Sequence, residues 1–596
     1  MTEPMRQYSA TVEHRPIERV FIANRGEIAL RIIRACHDLG LEAVAVYTKP
    51  DANADFVRLA DDAWALDGAG PAETYLSIEK MIDAAQRAGA DAIHPGYGYL
   101  AESPDFAQAV LDAGLVWVGP PPQAIDRLGD KSGARAVAEA AGAPITKGSD
   151  GAVDDIDDAL AIAEKIGYPI AVKAVYGGGG RGFRTAASAA ELPDALAGAS
   201  REALSAFGRG ECLLEQQIVN PRHIETQCMV DGNGRVLVAS TRDCTLQRRN
   251  QKIIEEAPAP FLTDEQIATV TQASKDILSE VGYVGAATCE FLLGEGGTLT
   301  FMEVNARIQV EHTVTEEVTG VDLLAWQLRI AAGESLPEEF PAPRGHSIQF
   351  RINAEDARLN FFPATGRIGR YIEPAGPGVR VDSGVHHGIE VGVDFDPMLA
   401  KLIVTGEDRA HALARARRAL GEYTLDGVKT LLPLHRRLVN EPAFAEDFSV
   451  STHWLQQTYM PTFDDPEDPM AQQTQDGSDV IDIVVEVEGH RLTVKVPAEL
   501  ARPAQAGARP RKGRLRRRGS SRTDNASALT APMQGTIVSV DVEPGAVVET
   551  GDTLAVIEAM KMEQPLKASR PATVSKIAVE AGSAVKAGTV LIEFED

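Results

Sequence analysis

Glu290, Glu303 and Asn305 lie in two apolar, strand-like runs, Cys289-Glu-Phe-Leu-Leu and Thr300-Phe-Met-Glu-Val-Asn. Carboxylates inside a sheet are costly unless paired or ligating. Hard oxygens of this kind suit Mg²⁺ held together with substrate phosphates; the alternative is a core network with Arg or Lys. Asn305, two residues beyond Glu303, falls on the same strand face. The next stretch, Arg307-Ile-Gln-Val-Glu311, puts a cation, an amide and a carboxylate (Arg307, Gln309, Glu311) on one face if it is extended. A cross-strand salt bridge and a catalytic constellation both fit that spacing. Burial of Glu311 beside cations has opposing effects on its acidity, desolvation upward and charge downward. Upstream, Lys173-Ala-Val-Tyr-Gly-Gly-Gly-Gly-Arg-Gly182 follows the apolar run Pro169-Ile-Ala-Val. Consecutive glycines let backbone N–H groups cradle phosphate oxygens. Lys131 and Lys173 add positive charge, and the Gly-Lys-Ser/Thr of a Walker A loop is missing.

A second reactive position is Lys561. The last 66 residues repeat themselves with an offset of 37: Thr536 to Gly545 matches Thr573 to Gly582, Gly551 matches Gly588, and Glu558 matches Glu595. Two similar halves of four strands predict a flattened β-sandwich with approximate two-fold symmetry. Glu558-Ala-Met-Lys-Met-Glu563 falls where the halves meet, at a hairpin tip. A lone lysine at a turn is ordinarily a solvated charge. Exposed methionines on both sides suit recognition by an enzyme that acylates the amine, and the long stem suits a swinging group.

The elements that must position these residues follow from periodicity. Arg19-Val-Phe-Ile-Ala reads as a strand, and Ile28, Ile32 and Ala35 recur at helical spacing before Gly40. Glu42–Tyr47, Ala90–Ile93 and Val116–Val118 read as further strands of a parallel α/β unit. The pattern from Lys131 to about Glu339 is α+β, and a mixed segment runs from Arg344 to about Tyr459. Residues 461–478 are acidic, Gln-rich and aperiodic, as in a linker. Val480–Val496 alternates around Gly489 and predicts a short hairpin. Residues 501–523 are rich in Arg, Pro, Gly and Ser. They read as a solvated tether or, less simply, a basic arm for nucleic acid; twenty residues extended reach roughly 65–70 Å.

With these residues in view, two resemblances emerge. Ala559-Met560-Lys561-Met562 resembles the attachment motif of biotin carboxyl carrier domains; the related lipoyl domains carry Asp-Lys-Ala at this turn. Residues 18–457 resemble the ATP-grasp fold and, more narrowly, biotin carboxylase. The motifs are Ala23-Asn-Arg-Gly-Glu-Ile-Ala, His94-Pro-Gly-Tyr-Gly, Gly129-Asp-Lys131, Asn220-Pro-Arg-His-Ile-Glu, Gln247-Arg-Arg-Asn-Gln-Lys252 and Glu303-Val-Asn-Ala-Arg-Ile-Gln-Val-Glu311.

The resemblance implies that Lys131, Lys173, Gly178, Gly179, Gly180, Arg181, Gly182, Glu215, His223, Gln247 and Asn250 bind ATP, together with Glu290 and Glu303. It implies that Glu290, Glu303 and Asn305 hold Mg²⁺ or Mn²⁺. Lys252, Arg307, Gln309 and the backbone of Val310 then bind bicarbonate, and Glu311 is its general base. Arg351, in Gln349-Phe-Arg-Ile-Asn-Ala-Glu, stabilises the biotin enolate. Bicarbonate is a poor electrophile, which ATP activates as carboxyphosphate. Two departures stand out. Asn250 replaces a common His, from which altered ATP contacts are expected. Thr313 replaces a common Pro, which is expected only to loosen the turn.

The implied architecture is multidomain α/β and α+β. An N-terminal biotin carboxylase α/β domain spans 16–130, an ATP-grasp domain 131–340 and a C-terminal carboxylase domain 344–459. A linker with a short β-hairpin, a candidate partner-docking element, spans 460–529. An all-β biotinyl domain of barrel-sandwich type spans 530–596. Nothing in 461–530 is long enough to transfer carboxylate to an acyl-CoA, so a separate carboxyltransferase (β) subunit is expected. The layout resembles α subunits of bacterial acetyl-/propionyl-type acyl-CoA carboxylases. Alternatives are a methylcrotonyl-CoA, pyruvate or urea type carboxylase, or a biotin scaffold without catalysis. Biotin protein ligase and a homo-oligomeric, dimeric core are further expected partners.

Composition is consistent with this. A formal charge of −27 argues against general nucleic-acid binding. No apolar run is long enough for a bilayer, and the polar N-terminus lacks signal-peptide order, so a cytoplasmic location is expected. Five scattered cysteines without C-x-x-C spacing argue against a disulfide framework or zinc site.

Overall fold

Strand β1 (Arg19–Ile22) buries every residue after Arg19, as parallel strands covered on both faces do. In α1 (Gly26–Asp38), Ile28, Ile32 and Ala35 are all buried, and Gly40 takes a left-handed φ of +72° just beyond the helix. β2 (Glu42–Tyr47), β3 (Asp62–Ala65), β4 (Ala92–His94) and β5 (Val116–Trp117) complete a parallel sheet of order β3-β2-β1-β4-β5. The computed structural model describes residues 15–463 except 69, 130, 150, 154, 176–181, 208 and 249, the strands 480–487 and 490–497, and 528–595 except 532–534, 560, 561, 569 and 586–588. The chain divides into two units, residues 1–466 and 467–596.

The loops after β1 and β4 are tied together by one side chain. Asn24 Nδ2 donates to the carbonyls of Pro95 (2.7 Å) and Tyr97 (2.8 Å). The turn between those carbonyls requires Gly96: its φ is +64°, and a Cβ there would lie 2.9 Å from Asn24 Nδ2.

Helix α2 (Lys131–Ala140) begins the next segment. A small antiparallel sheet follows, of order β7-β6-β8, from β6 (Ile170–Ala174), β7 (Phe183–Ala186) and β8 (Cys212–Gln216). Lys173 pairs with Phe183, so the Gly-rich stretch connects β6 to β7. Of that stretch, residues 176–181 lie outside the described residues, and with them Gly178, Gly179, Gly180 and Arg181. Gly182 is described. Its φ is +70° and a Cβ would lie 2.6 Å from that of Ala174, so no larger residue fits.

The largest sheet is antiparallel throughout. It is built from β9 (Arg222–Val230), β10 (Val236–Arg248), β11 (Gln251–Ala257), β12 (Gly285–Leu293), β13 (Leu299–Asn305), then, after helix α3 (His312–Thr319), β14 (His346–Asn353), β15 (Val379–Ser383) and β16 (Met398–Gly406). Its order is β13-β12-β9-β10-β11-β14-β16-β15. The β11–β14 pairing carries this sheet across residues 340–344, so the second and third segments share one framework. α3 packs over β10, β11, β14 and β16.

In the second unit, β17 (Val480–Val487) and β18 (His490–Pro497) form the expected antiparallel hairpin; Gly489 lies outside the described residues. The terminal sandwich comprises β19 (Ala528–Thr530), β20 (Gly535–Val540), β21 (Val547–Val548), β22 (Thr553–Ala559), β23 (Met562–Lys567), β24 (Ala572–Ile577), β25 (Ala584–Val585) and β26 (Val590–Glu595). The two sheets, β19-β26-β24-β21 and β23-β22-β20-β25, exchange under the shift of 37 residues. The core repeats with it: Ile537 matches Val574, Val548 matches Val585 and Leu554 matches Leu591, all buried. β22 and β23 pair through Ala559 and Met562, while Met560 and Lys561 between them lie outside the described residues. All five cysteines are free and buried. Among the described residues no helix is long and apolar enough to cross a membrane.

Gly96→Ala is expected to cost about 2–4 kcal/mol, combining a left-handed non-glycine residue with overpacking. Gly40→Ala, with nothing within 4 Å of its Cβ, should cost only the backbone part, about 1–2 kcal/mol. Urea unfolding of the two variants measures the difference; equal losses would show that Asn24 yields without cost.

Candidate active site

Three alternate positions in the first part of β9 are polar and buried: His223, Glu225 and Gln227. They meet charges from the strands beside them. Arg242 on β10 is fully buried and donates to Glu225, to Gln227 Oε1 (2.6 Å), to Thr315 and Thr288 (both 3.1 Å) and to Gln309 Oε1 (3.1 Å). All three of its nitrogens are thereby used.

Lys252 on β11 is the centre. Its Nζ lies 2.7 Å from Glu225 Oε2, 2.8 Å from Glu290 Oε1 and 2.7 Å from Glu311 Oε1. An ammonium has three protons, and each finds a carboxylate. Glu311 accepts a second bond from Arg351 Nη2 at 2.9 Å, and Arg351 Nε donates to Glu255. Glu290 Oε1 also accepts from Asn305 Nδ2 (2.9 Å) and Gln309 Nε2 (2.8 Å). His223 Nε2 stands 2.9 Å from Glu290 Oε2, and its Nδ1 lies 3.3 Å from Gln247 Nε2.

Burial alone would push the Glu311 carboxyl up, but Lys252, Arg351 and Arg242 hold it well below the usual carboxylate range. Glu290 behaves likewise: burial opposes ionisation, and Lys252 and His223 override it. Desolvation works against charge on His223, yet the neighbouring Glu290 raises its pKa. Lys252, penalised by burial, is raised well above an ordinary lysine by Glu225, Glu290 and Glu311. The site therefore holds the ionised Glu311 and Glu290 in a buried place, Glu311 between two cations. Glu290 and Glu303 are direct cross-strand partners, and Asn305 follows Glu303 by two residues. The two carboxylates are donors of the kind that suits Mg²⁺, while Asn305 turns its NH2 to Glu290 and its Oδ1 accepts from Arg307.

Comparison with known proteins places this geometry. Family models match along the chain: "Biotin carboxylase, N-terminal domain" at 16–125, "Carbamoyl-phosphate synthase L chain, ATP binding domain" at 130–339, "Biotin carboxylase C-terminal domain" at 349–457 and "Biotin-requiring enzyme" at 527–594. The chain is 50% identical to the biotin-dependent acyl-coenzyme A carboxylase alpha3 subunit of Mycobacterium leprae, over 92% of this chain and 93% of that one. The chain belongs to the biotin-dependent acyl-CoA carboxylase α subunits. It is 45% identical to the biotin carboxylase of Nostoc sp. over 74% of its length and 99% of that protein. It also resembles the crystal structure of the biotin carboxylase domain dimer of the Hydrogenobacter thermophilus 2-oxoglutarate carboxylase with MgADP, ADP and bicarbonate (TM-score 0.69, 44% identity, 74% of this chain and 98% of that one). The α subunit is thus an ATP-dependent biotin carboxylase that carries its own biotin domain.

Several expectations change on inspection of the α subunit. Residues 307–311 are not extended. They bend into α3, where Glu311 becomes the residue preceding the helix and His312 N–H bonds to Gln309 C=O at 3.2 Å. Gln309 and Glu311 meet at Lys252 and Glu290 because of that bend, not because of strand alternation. Arg307 makes no cross-strand bridge to Glu311; it pairs with Glu102 (3.0 Å) and donates to Asn305 Oδ1 (2.9 Å). The Val310 carbonyl accepts from the buried Lys401 at 3.2 Å. Thr313 does not loosen a turn: it lies in the first turn of α3, fully buried, with its hydroxyl bonded to Gln349.

Lys173 and Arg135 share Glu215 on the small sheet. The side chain of Lys131, at the start of α2, is outside the described residues. Asn250 is exposed in the β10–β11 turn with φ +66°, a left-handed conformation that Asn tolerates better than most residues. Three central residues were absent from the sequence reading's site: Glu225, Arg242 and Glu255. The period-two run of polar residues on β9 was the available signal for the first; the others stand out only once the strands are paired.

Glu311→Gln provides a pH test of this electrostatic arrangement. The folded pKa of Glu311 is depressed, so its stabilising contribution is fully present above the unfolded value of about 4.3 and fades as pH falls below it. At pH 7 the variant should be less stable by about 3 kcal/mol, near the low end for removing one partner of a buried pair. The gap should close on acidification. A stability difference independent of pH between 3 and 8 would contradict the assignment.

Proposed function

We propose that the cluster around Lys252 is where bicarbonate is activated, with Glu311 as the general base that removes its proton. The observation carrying this is the position of Glu311, ionised and held between Lys252 and Arg351. Lys252, Arg307, Gln309 and the backbone N–H of Val310 bind the bicarbonate. Preorganised cations at a site of developing negative charge are typically a major catalytic contribution. Arg351 stabilises the enolate of the biotin ureido group, and its fixation by Glu255 orients it before substrate arrives. Lys131, Lys173, Gly178 to Gly182, Glu215, His223, Gln247 and Asn250 bind ATP, and Glu290, Glu303 and Asn305 hold Mg²⁺. A bound Mg²⁺ would supply neutralisation of phosphate charge there; Glu311 takes the bicarbonate proton, bicarbonate takes the γ-phosphoryl group as the bond to ADP breaks, and the resulting carboxyphosphate breaks down to CO2 and phosphate in place. Biotin attached to Lys561 would supply the ureido nitrogen that takes up the CO2, its N–H proton passing to the phosphate released.

The final acceptor is an acyl-CoA, reached through a separate carboxyltransferase β subunit; a likeness to the M. leprae α3 subunit that extends over 92% of the chain supports this. Biotin protein ligase attaches the biotin, and the carboxylase core is a homodimer located in the cytoplasm. The β17–β18 hairpin is the docking element for the β subunit.

The direct experiment is bicarbonate-dependent ADP release with free biotin as acceptor. Glu311→Gln should lower kcat by about 10²–10⁴-fold, the usual worth of a positioned base. In the same preparations, intact mass should show one biotin that is missing from Lys561→Arg. Turnover surviving Glu311→Gln would mean another group is the base. Deletion of residues 478–500 should abolish co-purification with the β subunit while free-biotin carboxylation continues; binding that persists would remove the hairpin from the interface.

A further inference from the structure

Thr313 begins a line of hydrogen bonds that ends on the general base. Its hydroxyl donates to Gln349 Oε1 at 2.5 Å. Gln349, on β14 and fully buried, donates from Nε2 to Glu255 Oε2 at 3.0 Å; the two residues are direct cross-strand partners on β14 and β11. Glu255 Oε1 accepts from Arg351 Nε, and Arg351 Nη2 donates to Glu311 Oε2 at 2.9 Å.

A guanidinium only donates, so the two bonds from Arg351 run to Glu255 and Glu311. Glu255 Oε2 in turn accepts from the NH2 of Gln349. Its carbonyl then faces α3 and needs a donor, which Thr313 supplies. Thr313 is the second residue of α3. Backbone N–H groups in a first helical turn have no intrahelical acceptor. What the position contributes is therefore its hydroxyl rather than its amide. Arg351 is one planar group serving two carboxylates, so any drift of Glu255 moves the nitrogen that meets Glu311.

We propose that Thr313 is a positioning residue, acting through Gln349 and Glu255 to hold Arg351 in register with Glu311 and the incoming biotin. The inference rests on the roles given above to Arg351 and Glu311. It makes the side chain at 313 part of the catalytic support, where a residue without a donor would leave Gln349 and Glu255 free to shift.

The test uses the full-length chain with free biotin. Thr313→Val should lower kcat roughly 10-fold, less than the ~10²-fold that a misplacement of about 1 Å can cause. KM for ATP should stay unchanged. Thr313→Ser, which restores the donor, should recover most of the activity. Gln349→Leu, which breaks the next link, should repeat the Thr313→Val pattern. Arg351→Ala is run beside them, and adding Thr313→Val to it should cause no further loss. Full activity in Thr313→Val and Gln349→Leu, with Arg351→Ala impaired, would overturn the relay alone. No recovery in Thr313→Ser, or a rise in KM for ATP parallel to the loss of kcat, would reduce Thr313 to a packing role and overturn it too. Undiminished turnover in Arg351→Ala would overturn the reading of Arg351, and the relay with it.

Discussion

The Lys252 ammonium, buried among Glu225, Glu290 and Glu311, is the interaction on which the rest of the site depends. Taking four charged groups out of water costs several kcal/mol per ion. That cost is offset only if each charge finds its partners at close range. The three carboxylates come from β9, from β12 and from the residue preceding α3, while the lysine comes from β11. Strand order β12-β9-β10-β11 makes this meeting possible. Arg242, on the strand between β9 and β11, closes the gap from below. The sheet is thus less a scaffold beside the site than the means by which three carboxylates are brought within 3 Å of one ammonium.

Charge balance explains the neighbouring residues. Glu225, Glu255, Glu290 and Glu311 outnumber the permanent cations Lys252, Arg242 and Arg351 by one. Desolvation opposes charge on His223, and Glu290 outweighs it, shifting the imidazole toward its protonated form.

Much of the architecture was legible in the sequence because it rests on local patterns. β1 and β2 are short apolar runs around a helix with Ile28, Ile32 and Ala35 at 3.6-residue spacing. The carrier's two halves are legible because core positions recur every 37 residues, as Ile537 and Val574 do. Glu290 and Glu303 sit opposite each other as two acidic strands suggest. The bend at 307–311 was not legible, since it arises from contacts distant in sequence: Glu102 takes Arg307, and Lys401 takes the Val310 carbonyl. Arg242 and Glu255 were hidden for the same reason, because a charged residue in a strand reveals its purpose only through the partner across the sheet.

Lys401 shows how those distant contacts cooperate. It is fully buried on β16, with Nζ 3.1 Å from Glu27 Oε2 and 3.2 Å from the Val310 carbonyl. Glu27 lies on α1 and accepts from the Tyr97 hydroxyl, in the loop that Asn24 pins from the other side. One ammonium therefore joins the N-terminal parallel sheet, the C-terminal strands and the segment carrying Gln309 and Glu311. Each of these contributes only part of the site. The N-terminal loops contain no residue of the Lys252 cluster, yet through Glu27 and Tyr97 they restrain the lysine that holds Val310. This accounts for the clustering of motif residues at Ala23–Ala29 and His94–Gly98, far in sequence from Glu311. They set the backbone of the segment 307–311, while β9 to β12 set the charges it meets.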